Sequence, residues 1–232
     1  MKKALLFTLM ATAIACGQEK NLFLNAQLHW DFDREVVTST LEFFHLDRLG
    51  TTFFFADFDF DETGQHGSYF EIARNFRIVP TRRGTMNLSV QYNDGVNDGV
   101  GVLETPMKII PGVFLYGVAL DRFLLGKASF EFQALARKEF ATRLSWQATL
   151  VWLAHLQPWL MFNGYVDVNA DEQFDGRIRI QSEPQLKFLW RQWAIGSEVE
   201  VSRNFLPAGT ERQPFEENKW FAHPTIFLQY NF

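Results

Sequence analysis

The sequence predicts an all-β chain closing into a transmembrane, antiparallel, up-and-down barrel of about twelve strands. Three observations predict it. The final segment, Trp220–Phe232, sets Trp220, Ala222, Ile226, Leu228, Tyr230 and Phe232 on one face. Phe221, His223, Thr225, Gln229 and Asn231 lie on the other face, with Phe227 the one apolar residue among them. That is the period of two of a β-strand with one apolar side. Segments of this kind recur along the chain, and the connections between them alternate in length.

The first segment, Asn21–Phe32, turns Leu22, Leu24, Ala26, Leu28, Trp30 and Phe32 one way and Asn21, Asn25, Gln27, His29 and Asp31 the other. The second, Val36–Leu46, sets Val37, Leu41 and Phe43 outward and Thr38, Thr40 and Glu42 inward. In the third, Thr51–Phe60, the residues Phe54, Ala56, Phe58 and Phe60 point out while Asp57 and Asp59 point in. Ser68–Ile78, Thr85–Asn93, Lys108–Val118, Ala128–Arg137 and Thr142–Trp152 follow. Pro158–Val168, Arg177–Leu189, Ala194–Asn204 and Trp220–Phe232 complete the set. The sixth segment is the weakest, because Ile109, Ile110, Val113, Phe114 and Leu115 do not alternate.

The longest connections, Asp61–Gly67, Asp94–Met107, Asn169–Gly176 and Phe205–Lys219, all follow odd-numbered segments. Those after even-numbered segments are shorter, such as Asp47–Gly50, Ala154–Gln157 and Trp190–Trp193. Single-chain bacterial barrels have even strand counts, short turns on the periplasmic side and longer outer loops. Both chain ends then fall on the periplasmic side. Asp33–Glu35 is short for an outer loop and is the main exception. A membrane strand takes about 9–11 residues, so twelve strands with loops fit this length, sixteen would leave almost no loops, and eight would need unusually long ones.

Lys2 and Lys3 precede an apolar stretch from Ala4 to Ala15 that ends in Ala13-Ile14-Ala15. This reads as a secretory signal peptide at 1–17, followed by one barrel domain at 18–232. The stretch is too short for a spanning helix of about 20 apolar residues. Cys16 is the single cysteine, which excludes an internal disulfide. Cleavage after Gly17 removes Cys16; the alternative is lipidation at Cys16, for which Ala13 is a poor match to the usual leucine.

A net charge of −5 argues against a nucleic-acid binder. The 25 phenylalanines, combined with a mean hydropathy slightly below zero, suit a barrel that is apolar outside and polar within. They suit a soluble β-sandwich equally well. Outward Trp30, Trp146, Trp152, Trp190, Trp193 and Trp220, with Tyr92 and Tyr230, lie mostly near strand ends, where interfacial girdles sit. Trp146 falls nearer mid-strand and does not fit.

The assigned faces turn Glu42, Asp57, Asp59, Glu71, Glu131, Asp167, Glu183, Glu198 and Glu200 inward, with Arg137, Arg143, Arg179 and Lys187. Two readings stand: a lumen packed with ion pairs, or a net-acidic aqueous passage. Glu42, Asp57 and Glu71 lie on three consecutive strands with no matching inward cation, which points to water or a ligand beside them. Arg74 falls on the outward face, at the interface or at a slip of register. Inward Phe23, Phe44, Phe53, Phe55, Tyr69, Tyr165, Phe221 and Phe227 either fill a narrow interior or offer stacking surfaces to a ring.

Thr40-Leu41-Glu42-Phe43, Phe53-Phe54-Phe55-Ala56-Asp57-Phe58 and Phe70-Glu71-Ile72-Ala73-Arg74-Asn75-Phe76 resemble the first hairpins of Tsx-type nucleoside channels. The ending Gln229-Tyr230-Asn231-Phe232 is similar to the same family, and such an ending is shared by most outer-membrane barrels. Ser182-Glu183-Pro184-Gln185 and Gly196-Ser197-Glu198-Val199-Glu200 resemble Tsx-like barrels as well. The resemblance implies a monomeric outer-membrane channel with a narrow lumen that passes nucleosides, with Glu42, Asp57 and Glu71 at inward acidic positions. This chain is shorter than the family and has smaller outer loops.

No Ser/His pair comes within reach on one face. Ser197 opposes His223 across the sheet, Ser39 faces away from His29, and Ser145 and His155 sit at opposite ends of one strand. The histidines lack metal-ligand spacing, and Asn93–Gly101 lacks the closing Glu of a calcium loop. The expectation is a passive outer-membrane channel for small polar solutes, nucleosides first, with no enzyme activity and no cofactor. Its lining would be Glu42, Phe53, Phe55, Asp57, Asp59, Tyr69, Glu71, Tyr165, Asp167, Glu198 and Glu200. Its partners would be outer-membrane lipid, the solute, and the barrel-assembly machinery through the last strand. The alternatives are a closed structural or adhesive barrel and, third, a barrel enzyme.

Overall fold

The computed structural model describes residues 21–62, 64–97, 108–140, 143–171, 176–205, 208–209 and 213–232. The signal segment at 1–17 and Cys16 lie outside the described residues. The elements are β1 (Leu22–Asp31), β2 (Val37–Leu46), β3 (Gly50–Asp61), β4 (Gly64–Pro80), β5 (Thr85–Asn97) and β6 (Lys108–Leu125). They continue with β7 (Ala128–Glu139), β8 (Leu144–Gln157), β9 (Leu160–Asp171), β10 (Arg177–Ser182) and β11 (Gln185–Trp190). β12 (Trp193–Arg203) and β13 (Trp220–Asn231) complete the chain.

Each strand pairs antiparallel with its neighbours, and β1 pairs with β13 from Asn25↔Asn231 to Asp31↔Thr225, so the sheet closes on itself. The Phe232 N–H extends this seam to the Leu24 carbonyl at 3.0 Å. A closed sheet leaves no edge of unpaired backbone groups, which is what an apolar solvent demands. β10 and β11 both pair with β9 and with β12, so they are two parts of one spanning strand and the barrel has twelve.

The sequence reading took Arg177–Leu189 as one unbroken strand; the ladder is interrupted at Glu183-Pro184. Proline has no N–H to donate. Its carbonyl still accepts from Val199 N–H at 3.2 Å. Across from the break, Gly164 sits at φ 156°, where a side-chain carbon would lie 2.5 Å from the Glu183 carbonyl oxygen.

The alternation predicted for the last strand is complete: Leu228 is 48% exposed and its neighbour Gln229 only 5%. On β1, Leu28 is 55% exposed and His29 8%. An apolar outer surface around a polar interior inverts the usual globular arrangement and matches a barrel set in a bilayer. Asn21, the first described residue, and Phe232 lie at the end carrying the short turns.

Several expectations need correction. β4 and β6 run longer than predicted, and β6 carries register shifts opposite Asn93/Gly95 and between Leu120 and Phe123. Bulges of this kind change which residues face inward, which explains the poor alternation of the sixth segment. β8 starts at Leu144, so Arg143 lies before the strand and is exposed, and Trp146 sits near the loop end with the girdle. Phe23 shares the inward face but is 61% exposed, at the turn-end mouth rather than within the lumen.

The short first connection has a physical reason. Asp31 Oδ1 accepts from the Asp33 and Arg34 N–H groups at 2.8 Å each, and Glu35 takes φ 57°. This turn directs Arg34 to Glu200 on β12, 2.6 Å away.

Candidate functional site

The inward side chains divide the lumen into four sectors. β13 and β1 form a filled one, where Phe221, His223, Thr225, Phe227, Gln229, Gln27, His29 and Asp31 are all buried. His29 stacks on Phe227 at 4.7 Å and meets Gln27 at 3.0 Å, while Lys187 Nζ reaches Gln229 at 3.0 Å and overlies the Phe227 ring. The second filled sector spans β5–β8, with Asn87, Ser89, Gln91, Leu115, Leu135, Arg137 and Gln147 buried. Gln91 donates to Gln133 at 2.6 Å, Gln133 to Glu131 at 2.6 Å, and Arg137 to Gln147 at 3.1 Å and to Glu139.

Between them, two half-buried walls face one another, β2–β4 on one side and β9–β12 on the other. Every residue predicted from the sequence to line a passage falls on these walls. Glu42, Phe53, Phe55, Asp57, Asp59, Tyr69 and Glu71 occupy the first; Tyr165, Asp167, Glu198 and Glu200 occupy the second. The walls approach closely enough for Asp57 to interact electrostatically with Glu198, and Tyr69 with Asp167 and Tyr165.

The carboxylates are held mainly by neutral donors. Glu42 accepts from Gln27 at 2.9 Å, Asp57 from Thr40 at 2.5 Å, and Asp59 from Thr38 at 2.6 Å. Tyr69 O–H points to Glu71 at 3.5 Å, Thr149 donates to Asp167 at 2.5 Å, and Gln185 donates to Glu198. Glu200 differs, being salt-bridged to Arg34. Lys187 acts on Glu42, and Arg137 on Glu71, through space. A hydroxyl or amide brings no opposite charge to a carboxylate, and on these walls acidic side chains outnumber basic ones.

The aromatic members form a run: Phe53 to Phe55 is 5.8 Å between centroids and Phe55 to Tyr69 is 5.6 Å. On the facing wall Tyr165 donates to Glu183 at 2.7 Å. Sequence reasoning placed Gln27, Thr38, Thr40 and Glu183 inward but left them out of the lining, and it assigned no face to Gln185 or Arg34. Their signal was present in part, since all but Arg34 share the inward parity of their strands.

Arg74 points outward, as predicted, and reaches Thr52 at 2.8 Å and Asp47 at 2.9 Å while lying over Phe76. In the turn outside the spanning segments, this Arg74 hydrogen bond, offset slightly by desolvation and helped by the Leu49 and Gly50 N–H groups, holds Asp47 down at about 2. Among the described residues no His/Cys/Asp/Glu group is arranged to hold a metal.

Fold and lumen together define a closed twelve-stranded β-barrel of the outer-membrane type. The chain belongs to the family described as a domain of unknown function, DUF5020, whose model matches residues 24–232. No curated protein matches it. Among solved structures it is similar to a KdgM porin in complex with disordered oligogalacturonate, with 8% identity, TM-score 0.53, and 90% of this chain and 99% of that chain covered. It is also similar to the NanC porin, with 7% identity, TM-score 0.54, and 90% and 98% covered. At such identity the likeness is one of fold.

Proposed function

We propose that the protein is a passive outer-membrane channel whose solutes pass between the β2–β4 and β9–β12 walls. The observation that carries this reading is the set Glu42, Asp57 and Glu71. These three carboxylates meet Gln27, Thr40 and Tyr69 instead of a bonded cation, and they remain half-buried on an inward face. A lumen closed by ion pairs would have no reason to leave them so, because uncompensated like charges cost stability unless they are hydrated.

The field and the aromatic run choose among solutes. An oligogalacturonate, the ligand of one similar porin, is a string of carboxylates and would be repelled by these walls. Neutral or cationic ring-bearing solutes fit better, with nucleosides first. A base can stack on Phe53, Phe55 or Tyr69, an interaction worth about 1–3 kcal/mol, and ribose hydroxyls can donate to Asp57 or Glu71. The resemblance to nucleoside channels points the same way.

A closed structural barrel is the second reading, favoured by the two filled sectors. Planar-bilayer conductance titrated with adenosine and thymidine decides between them. Small steady currents blocked by nucleosides support the channel and its substrate; currents indifferent to nucleosides keep the channel and remove the substrate. Absence of current leaves the closed barrel.

A further inference from the structure

The turn end of the barrel carries a charge asymmetry unrelated to the lumen. Three neighbouring turns, β2–β3, β4–β5 and β6–β7, present Arg48, Arg77, Arg82, Arg83, Arg122 and Lys127, all exposed. The carboxylates of that stretch are Asp47, which is bonded to Arg74 and to two backbone N–H groups, and Asp121, which is buried. The turns on the other half of the rim, 158–159 and 191–192, bring a single charge, Arg191.

The basic sector borders the apolar belt directly. Arg83 lies over the Phe123 ring at 5.9 Å, and Arg74 over Phe76 at 5.2 Å. Leu49 at a turn tip and Leu124 and Leu125 beside the third turn are each about two-thirds exposed, at 66%, 70% and 67%. Cations lying on aromatic rings, with bare leucines among them, mark the level at which acyl chains give way to headgroups. Asn21, His45, Leu46, Asp47, Arg48 and Arg77 line an open cleft of about 470 Å³ there. Neither the Arg48 nor the Arg77 guanidinium has a side-chain partner among the described residues.

We propose that this half of the rim binds anionic phospholipid, and that Arg48 and Arg77 hold the phosphate of a headgroup seated in the cleft. The planar guanidinium fork matches two phosphate oxygens at once. The neighbouring arginines add the general attraction of a basic surface for an anionic leaflet. Asp47 cannot compete for Arg48 or Arg77, because Arg74 and the turn backbone already hold it.

The test is native mass spectrometry of the detergent-purified chain titrated with dioleoyl-phosphatidylglycerol or dioleoyl-phosphatidylcholine. Folding of every variant is confirmed by its heat-dependent shift in gel mobility. The wild type is expected to retain the anionic lipid in preference to the zwitterionic one. R48Q/R77Q is expected to lower that occupancy about tenfold, and R82Q/R83Q, confined to an exposed turn, to lower it by less. R203Q at the loop end is expected to leave it unchanged. Equal retention of both lipids by the wild type, or undiminished retention in R48Q/R77Q, overturns the proposal. Displacement of the lipid by millimolar inorganic phosphate also overturns it, by showing a free-anion site.

Discussion

Asp57→Asn is expected to weaken cation selectivity while leaving the lumen's shape intact. The amide is isosteric with the carboxylate, and Thr40, now at 2.5 Å, can still donate to its oxygen. What disappears is the charge that the ionised carboxylate places on a half-buried wall. Two unit charges 4 Å apart interact by about 1 kcal/mol in bulk water and about 4 at an effective dielectric of 20. For a hydrated passage the lower figure applies, which is about fivefold in cation occupancy at 1.4 kcal/mol per decade. Glu42 and Glu198 act on the same place, so the single change leaves residual selectivity and E42Q/D57N/E198Q removes most of it. The assay is the reversal potential of bilayer-inserted protein across a tenfold potassium chloride gradient, with Glu216→Gln in the exposed connection before β13 as control. A reversal potential unchanged in both the single and the triple variant would refute the argument that these walls are the conduction path.

Phe55→Ala interrupts the aromatic run between Phe53 and Tyr69. Nucleoside block of the current is expected to weaken by about 1–3 kcal/mol, read as the rise in half-blocking adenosine concentration. Asp47→Asn removes the charge that Arg74 pairs with in the turn. Because the folded Asp47 titrates at about 2, below its unfolded value of about 3.9, the stabilisation is fully present above the unfolded value. It is lost as pH falls through the folded one. The melting difference between wild type and D47N is therefore expected to be constant from pH 7 down to about pH 5 and to close towards pH 2. Gly164→Val forces a side chain against the Glu183 carbonyl and Pro184 at φ 156°. The expected loss is about 1–3 kcal/mol or more, seen as a lower temperature for the gel-mobility shift; an unaltered transition would mean that the β9 and β10–β11 contact is not tight.

The architecture was legible because a barrel strand writes its two environments into alternate residues. β1, β2, β3 and β13 could be read residue by residue, and the long connections after the fifth, ninth and eleventh segments marked the outer side, although β3 and β4 extend into the predicted Asp61–Gly67 connection. Bulges have no such signature: the shifts at Asp59/Phe60, Arg77/Val79 and Leu120/Phe123 depend on the partner strand as much as on the local sequence. Pro184 was a readable warning that the tenth strand would break. For the site, parity told which side chains face inward but not which of them others cover. That His29 and Lys187 are buried while Glu42 and Asp57 stay half open depends on Phe227, Gln229 and Thr40 brought in from other strands. Arg34 was out of reach, since a turn residue has no face until the turn's own hydrogen bonds aim it.

The most direct test of the proposed passage is cysteine accessibility at Asp57 during conduction. Cys16 is the only native cysteine, so D57C in a C16S background presents one reactive thiol. A membrane-impermeant cationic thiol reagent is predicted to react at D57C and to reduce the single-channel current, while leaving C16S alone unaffected. Conductance that persists undiminished after complete modification at that position, or a chain that carries no current at all, would contradict a passage between the β2–β4 and β9–β12 walls.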